Sequence, residues 1–344
     1  FRLNKNYYKS PPKVDFDKIP YKGHPYIPYV LKENVKGLPP TIANYPLHKG
    51  KYKFHNVYTN NLGFCNGENG DRDVLSKKEK DIRINCIGSS TTQNYLVFED
   101  KVFSYPLQLE KKLNQKSKTK FEVNNCGQGG YNTADILVRF LLQILDTKPD
   151  MIILYQGHAD IRSYLSKNFK PDYSHSRYNL SEKLVEIKKS IKIPRTYFSF
   201  LNFLLDKWFP VNLRHSLVEL IHKQNIDLNI KPEEGLRVFK RNIQFIIDVC
   251  KAKNIKIILS TYCYYLYENV KTNNLFLKYD EINTKENDII RELAEINNVE
   301  MVDNYNLIPK QDKYFVDSIH FSHEGMELLA EKFARKILEI YDRK

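Results

Sequence analysis

The sequence predicts an α/β protein built on a parallel sheet with helices on both faces. Two observations carry that prediction. From Asp81 onward, short continuous apolar runs alternate with amphipathic helical stretches, and strands buried on both faces read as such runs. Each apolar run also ends in a loop containing polar or glycine residues, as expected at the edge of an open sheet where ligands bind.

Taken in order, residues 1–75 are rich in Pro, Tyr, Asn and Gly and lack helical periodicity. They read as an irregular, partly β extension, with extended candidates from Tyr26 to Val30 and from Phe54 to Tyr58. The α/β domain then occupies 76–344. Its predicted strands are Ile82 to Ile87, Phe121 to Asn125, Met151 to Tyr155, Ile255 to Tyr262 and Val299 to Val302. Between them, Ile136, Phe140, Leu141 and Ile144 share one helical face, as do Leu236, Phe239, Ile243, Ile246 and Cys250. At about 165–232 the alternation lapses into an insertion containing Pro171, Pro194, Pro210 and an aromatic-rich stretch from Tyr197 to Phe209. It reads either as a cover over the site or as a helical elaboration at the domain edge. A last helix, from about Ser322 to Tyr341, carries Met326, Leu329, Phe333, Ile337 and Ile340 on one stripe, with Ser322 as its N-cap.

At 344 residues and 42% hydrophobic content, the chain is long and apolar enough to bury a sizeable core. No run approaches the roughly 20 consecutive apolar residues that span a bilayer. The chain begins at Phe1 rather than Met. An upstream signal or anchor, if removed, would place it at the cell envelope, and otherwise it would be cytoplasmic. None of the five cysteines forms a C-x-x-C pair, which argues against a zinc ribbon or redox motif. Cys86, Cys126, Cys250 and Cys263 read as small buried hydrophobes, and Cys65 as a loop thiol. The net charge of +13 is dispersed, so a nucleic-acid partner is not expected. The basic surface leaves association with a membrane or an anionic polysaccharide open.

Chemistry is sought in the residues that follow each apolar run. The first strand runs into Gly88-Ser89-Ser90-Thr91-Thr92, a small-residue turn able to present the Ser90 hydroxyl at the sheet edge. Alternatively, Ser90 only caps a helix or helps cradle a phosphate. A serine hydroxyl needs a base to take its proton and a group to orient that base. Asp317-Ser318-Ile319-His320, just before the last helix, supplies both. The Asp317 carboxylate can fold back to the imidazole Nδ1–H and leave Nε2 facing Ser90.

The combination resembles the SGNH, or GDSL-like, family of serine ester hydrolases over roughly Asp81 to Tyr341. The first family block looks like Gly88 to Thr92, with the nucleophile at Ser90. The second resembles Asn125-Cys126-Gly127-Gln128-Gly129-Gly130-Tyr131, where the glycine whose N–H serves the oxyanion falls on Gly130. The third reads Gly157-His158-Ala159-Asp160, so the family's oxyanion asparagine falls on Ala159. The last matches Phe315 to Ser322. Three explanations of Ala159 stay open: His158 turns inward as a replacement donor, the Ser90 and Gly130 N–H groups suffice, or an original asparagine was replaced. Asp160 is expected to cap the turn that follows it.

The resemblance implies a flavodoxin-like, three-layer α/β/α fold with a five-stranded parallel sheet. It also implies a Ser90–His320–Asp317 triad acting through an acyl-enzyme, with no metal or organic cofactor. The expected substrate is a small-molecule or glycan ester, with small acyl groups such as acetyl removed from a carbohydrate. Two alternatives remain: an O-acyltransferase that passes the acyl group to a sugar hydroxyl, and a catalytically impaired module that binds a glycan or a partner.

Overall fold

A computed structural model describes residues 20–38, 47, 53–54, 57–65, 72–94, 96–98, 101–167, 169–175 and 226–342. The predicted aromatic stretch from Tyr197 to Phe209 and most of the 165–232 insertion lie outside these residues. The central sheet is built from β1 (Ile82–Gly88), β2 (Phe121–Asn125), β3 (Met151–Tyr155), β4 (Lys256–Ser260) and β5 (Glu300–Val302). Its order is β2-β1-β3-β4-β5, with every neighbouring pair parallel. This is the doubly wound arrangement the sequence predicts.

The helices are α1 (Ser90–Gln93), α2 (Tyr105–Lys116), α3 (Thr133–Arg139), α4 (His158–Tyr164), α5 (Glu233–Ala252), α6 (Asn274–Asn297), α7 (Asn304–Leu307) and α8 (His323–Asp342). Alternation along β3 divides the core between two faces. Ile152 and Leu154 join Ile136 of α3, Phe140 just beyond it, Phe239, Ile243 and Ile246 of α5, and Ile282 and Ile290 of α6. Met151 and Ile153 join Leu109 and Leu113 of α2 and Met326, Leu329, Phe333 and Ile337 of α8. Successive strand side chains point to opposite faces, so a run apolar at every position requires both faces to be covered.

β4 and β5 each begin one residue later than predicted. Asn254 and Asn298 adopt left-handed φ values of 55° and 49° at the ends of α5 and α6. The next N–H then turns back into the helix, Ile255 to the Cys250 carbonyl at 2.8 Å and Val299 to the Ala294 carbonyl at 3.0 Å. Ile255 and Val299 therefore close helices instead of opening strands. The apolar face assigned to Leu141 is also corrected, since Leu141 is 42% exposed. After Arg139 the helix widens into a π segment, Phe140–Ile144, and the extra residue per turn rotates Leu141 outward while Phe140 and Ile144 stay buried. Ser322 does cap α8, its Oγ accepting from the Gly325 N–H at 3.2 Å.

The described part of the extension is short-stranded. Tyr21–Lys22 pairs with Val30–Leu31, Lys36–Leu38 with Val57–Tyr58, and Lys53–Phe54 with Leu96–Phe98. Ile27, Val30 and Phe64 enter the same apolar cluster as α3 and α5. Arg83 of β1 is fully buried, and its guanidinium donates to the carbonyls of Val74, Ser76 and Thr147. None of the five cysteines is in a disulfide. No described helix is long and apolar enough to cross a membrane.

Candidate active site

The strand order reverses between β1 and β3, and the crevice outside their carboxyl ends is where such sheets bind ligands. Ser90 follows β1 there, and Gly157 to Asp160 follow β3. Ser90 is the first residue of α1, whereas Ser89 takes the N-cap position without a side-chain cap bond. The Ser90 hydroxyl is thus left to other partners.

Its partner comes from the turn before α8. Phe315 and Phe321 form an antiparallel bridge, and the Val316 N–H bonds to the His320 carbonyl at 2.8 Å. The turn closes on Asp317, whose Oδ1 accepts the N–H groups of Ile319 and His320 at 2.8 and 2.7 Å. Oδ2 lies 2.7 Å from His320 Nδ1, and His320 Nε2 lies 2.8 Å from Ser90 Oγ. Burial alone would raise the Asp317 pKa. The His320 ring and the two backbone donors outweigh it and hold the carboxyl below the usual range. An ionised Asp317 can only accept, so Nδ1 carries the proton and the Nε2 lone pair faces the Ser90 hydroxyl.

The loop after β2 closes the other side. Gly130 has φ +75°, a left-handed value that favours glycine at this turn. A Cβ added to Gly129 would sit 3.7 Å from Ser90 Cβ, so the loop lies against Ser90. Gln93 braces it: its Oε1 accepts the Gly129 N–H at 2.7 Å, and its carbonyl accepts Asn125 Nδ2 at 3.0 Å. The N–H groups of Ser90 and Gly130 donate to no acceptor among the described residues.

Behind this loop, the buried Asp160 does not cap its own turn. Both of its oxygens accept the N–H of Thr133, the first residue of α3, at 3.0 Å. It also accepts from Thr133 Oγ1 at 2.7 Å, Tyr173 OH at 2.6 Å and Gln156 Nε2 at 2.8 Å. The positive end of α3 and these donors draw the carboxylate across to a neighbouring helix. Gln156 Nε2 also reaches the Tyr131 carbonyl at 3.0 Å, which ties the third block to the Gly130 loop. Gly157 is required by close approach, since a Cβ there would lie 2.6 Å from the Tyr262 ring.

Ala159 brings no hydrogen-bonding group. His158 packs edge-on against Tyr279 at 4.9 Å and beside Tyr264 at 5.9 Å, with Nδ1 buried and without a partner. Burial, aided by the Arg162 charge, pushes its pKa down to about 3, so the imidazole is neutral. Sequence reasoning missed Gln93, Gln156 and Thr133 as supports of the loop. Gln93, one turn beyond Ser90, carried a positional signal.

A pair of hydrogen bonds linking carboxylate, imidazole and hydroxyl at the carboxyl edge of a parallel sheet defines a class of α/β protein equipped for serine chemistry. The chain belongs to the GDSL-like lipase/acylhydrolase family, whose model matches residues 86–328. Similar solved structures include a lipase/acylhydrolase from Enterococcus faecalis, at 18% identity over 74% of this chain and 95% of that one, with a TM-score of 0.46. The acetyl xylan esterase AlAXEase is 18% identical over 74% of this chain and 100% of its own, with a TM-score of 0.44. A catalytic mutant of an acetylxylan esterase from Geobacillus stearothermophilus is 16% identical over 74% and 94%, with a TM-score of 0.46. No curated protein matches.

Proposed function

We propose that the protein is a serine ester hydrolase that works through an acyl-enzyme on Ser90. The observation that carries this reading is the relay from Asp317 Oδ2 through His320 to Ser90 Oγ, with contacts of 2.7 and 2.8 Å. His320 Nε2 takes the Ser90 proton as Oγ attacks the ester carbonyl. The tetrahedral oxyanion is held by the Ser90 and Gly130 N–H groups. Collapse breaks the bond to the alcohol oxygen, which receives the proton from His320 and leaves as alcohol. Water then gives a proton to His320 and attacks the acyl carbon. The second collapse returns that proton to Ser90 and releases the carboxylic acid. Asp317 holds the imidazole in the required tautomer and stabilises its protonated form.

A small acyl group on a carbohydrate is the substrate class we favour. That preference follows from membership of the GDSL-like lipase/acylhydrolase family.

Ser90→Ala is expected to abolish hydrolysis of 4-nitrophenyl acetate and labelling by a fluorophosphonate, with the melting temperature unchanged. An unchanged rate in Ser90→Ala would sink the assignment. Ala159, at a position where the family supplies a donor, favours a second reading, a binding module retaining the fold. Failure of the native chain to label at Ser90, together with measurable glycan binding, would select it.

A further inference from the structure

Tyr29 of the extension meets the loop after β2 at two hydrogen bonds. The Tyr29 hydroxyl donates to the Gly129 carbonyl, and the Tyr131 hydroxyl donates back to the Tyr29 carbonyl. The two rings stand edge to face at 5.8 Å, and Tyr21 packs edge-on against Tyr29 at 5.5 Å. The carbonyl that Tyr29 engages belongs to the same peptide unit as the Gly130 N–H. That peptide lies between two glycines, where backbone rotation meets the least steric resistance. A hydroxyl on its carbonyl fixes the direction of the N–H across the rigid amide plane. By drawing electron density toward the oxygen, it also makes that N–H a stronger donor.

We propose that Tyr29, from the N-terminal extension, is a positioning residue that orients and polarises the Gly130 N–H as an oxyanion donor. This rests on the reading of Ser90 and Gly130 given above. With Ala159 supplying no side-chain donor, the oxyanion depends on backbone N–H groups alone, and alignment of the Gly130 peptide counts for more. The extension is thereby a working part of the acyl-transfer site, although it lies outside the 86–328 stretch matched by the family.

Tyr29→Phe keeps the ring and removes only the hydroxyl. Deleting a whole oxyanion donor costs about 10²–10³ in rate, so misaligning one is expected to lower kcat for 4-nitrophenyl acetate about tenfold, with KM within about twofold. The rate constant for fluorophosphonate labelling of Ser90 should fall in parallel. An irreversibly unfolded fraction lowers the final labelling stoichiometry and leaves that rate constant unchanged, and the rate is compared at a temperature where circular dichroism shows both chains fully folded. An unchanged rate constant overturns the proposal, whether stoichiometry is full or reduced, as does a loss confined to KM. If the native chain itself neither turns over ester nor labels at Ser90, the hydrolase reading fails and takes the proposal with it. If the native chain labels and Tyr29→Phe labels as fast, the proposal alone fails.

Discussion

The two sides of the Ser90 crevice are built differently. The relay side is local: Asp317 and His320 sit three residues apart in one turn, and both carboxylate oxygens of Asp317 are satisfied within it. The side where we place the oxyanion is assembled from four separate stretches of chain, represented by Tyr29, Gln93, Gly130 and the Gln156–Asp160 pair. It also collects buried polar groups without partners, among them both amide atoms of Gln128, Gln156 Oε1 and His158 Nδ1. A short turn can complete a proton relay from its own backbone. A pocket for developing negative charge instead draws on several segments, and the loss of one donor falls on the remainder.

The largest test of this contrast is Asp317→Asn. An amide in place of the carboxylate favours the wrong imidazole tautomer, and kcat should fall by about 10³–10⁴. A loss under tenfold would mean that the turn alone orients His320. Next, Ala159→Asn restores a side-chain donor on the weak side. Labelling and hydrolysis should rise by up to about 10², within the worth of one oxyanion donor. An unaltered rate would show that backbone N–H groups already suffice.

The smallest expected effect concerns Glu286 of α6, which is buried near the Tyr164 hydroxyl with no cation beside it among the described residues. Burial, with the Asp160 charge adding to it, pushes its pKa well above the ordinary 4.5. The folded state therefore keeps a proton that the unfolded state gives up. The stability contribution is full below pH 4.5 and is lost as pH rises toward the folded pKa. Glu286→Gln removes that dependence. Its stability relative to the native chain should rise as pH increases above 4.5, read by urea unfolding. A difference that stays flat with pH would show that Glu286 is ionised in the fold.

Legibility followed the same divide. β3 matches its predicted limits because a strand buried on both faces announces itself as an unbroken apolar run, and β2 matches them too although Glu122, Asn124 and Asn125 interrupt its apolar residues. Asp317 and His320 were readable because their spacing permits the contact they make. Leu141 misled because a π turn shifts the helical phase, and periodicity presumes a constant one. Tyr29 left no signal, since its contact with Gly129 spans 100 residues. Asp160 was expected to cap the turn after it, whereas the backbone N–H it accepts is that of Thr133 on α3, a neighbour in space but not in sequence.

Arg83 carries a consequence for where this protein can be cut. Its guanidinium lies inside β1 at full burial, yet two of its acceptors, the Val74 and Ser76 carbonyls, belong to the segment leading into the sheet. Trimming the chain to begin at the first strand would take two carbonyl acceptors from a buried permanent cation and leave it only Glu122 and the Thr147 carbonyl. The stretch before β1 is thus a component of the folded unit's interior, fastened from within and not shed as packaging.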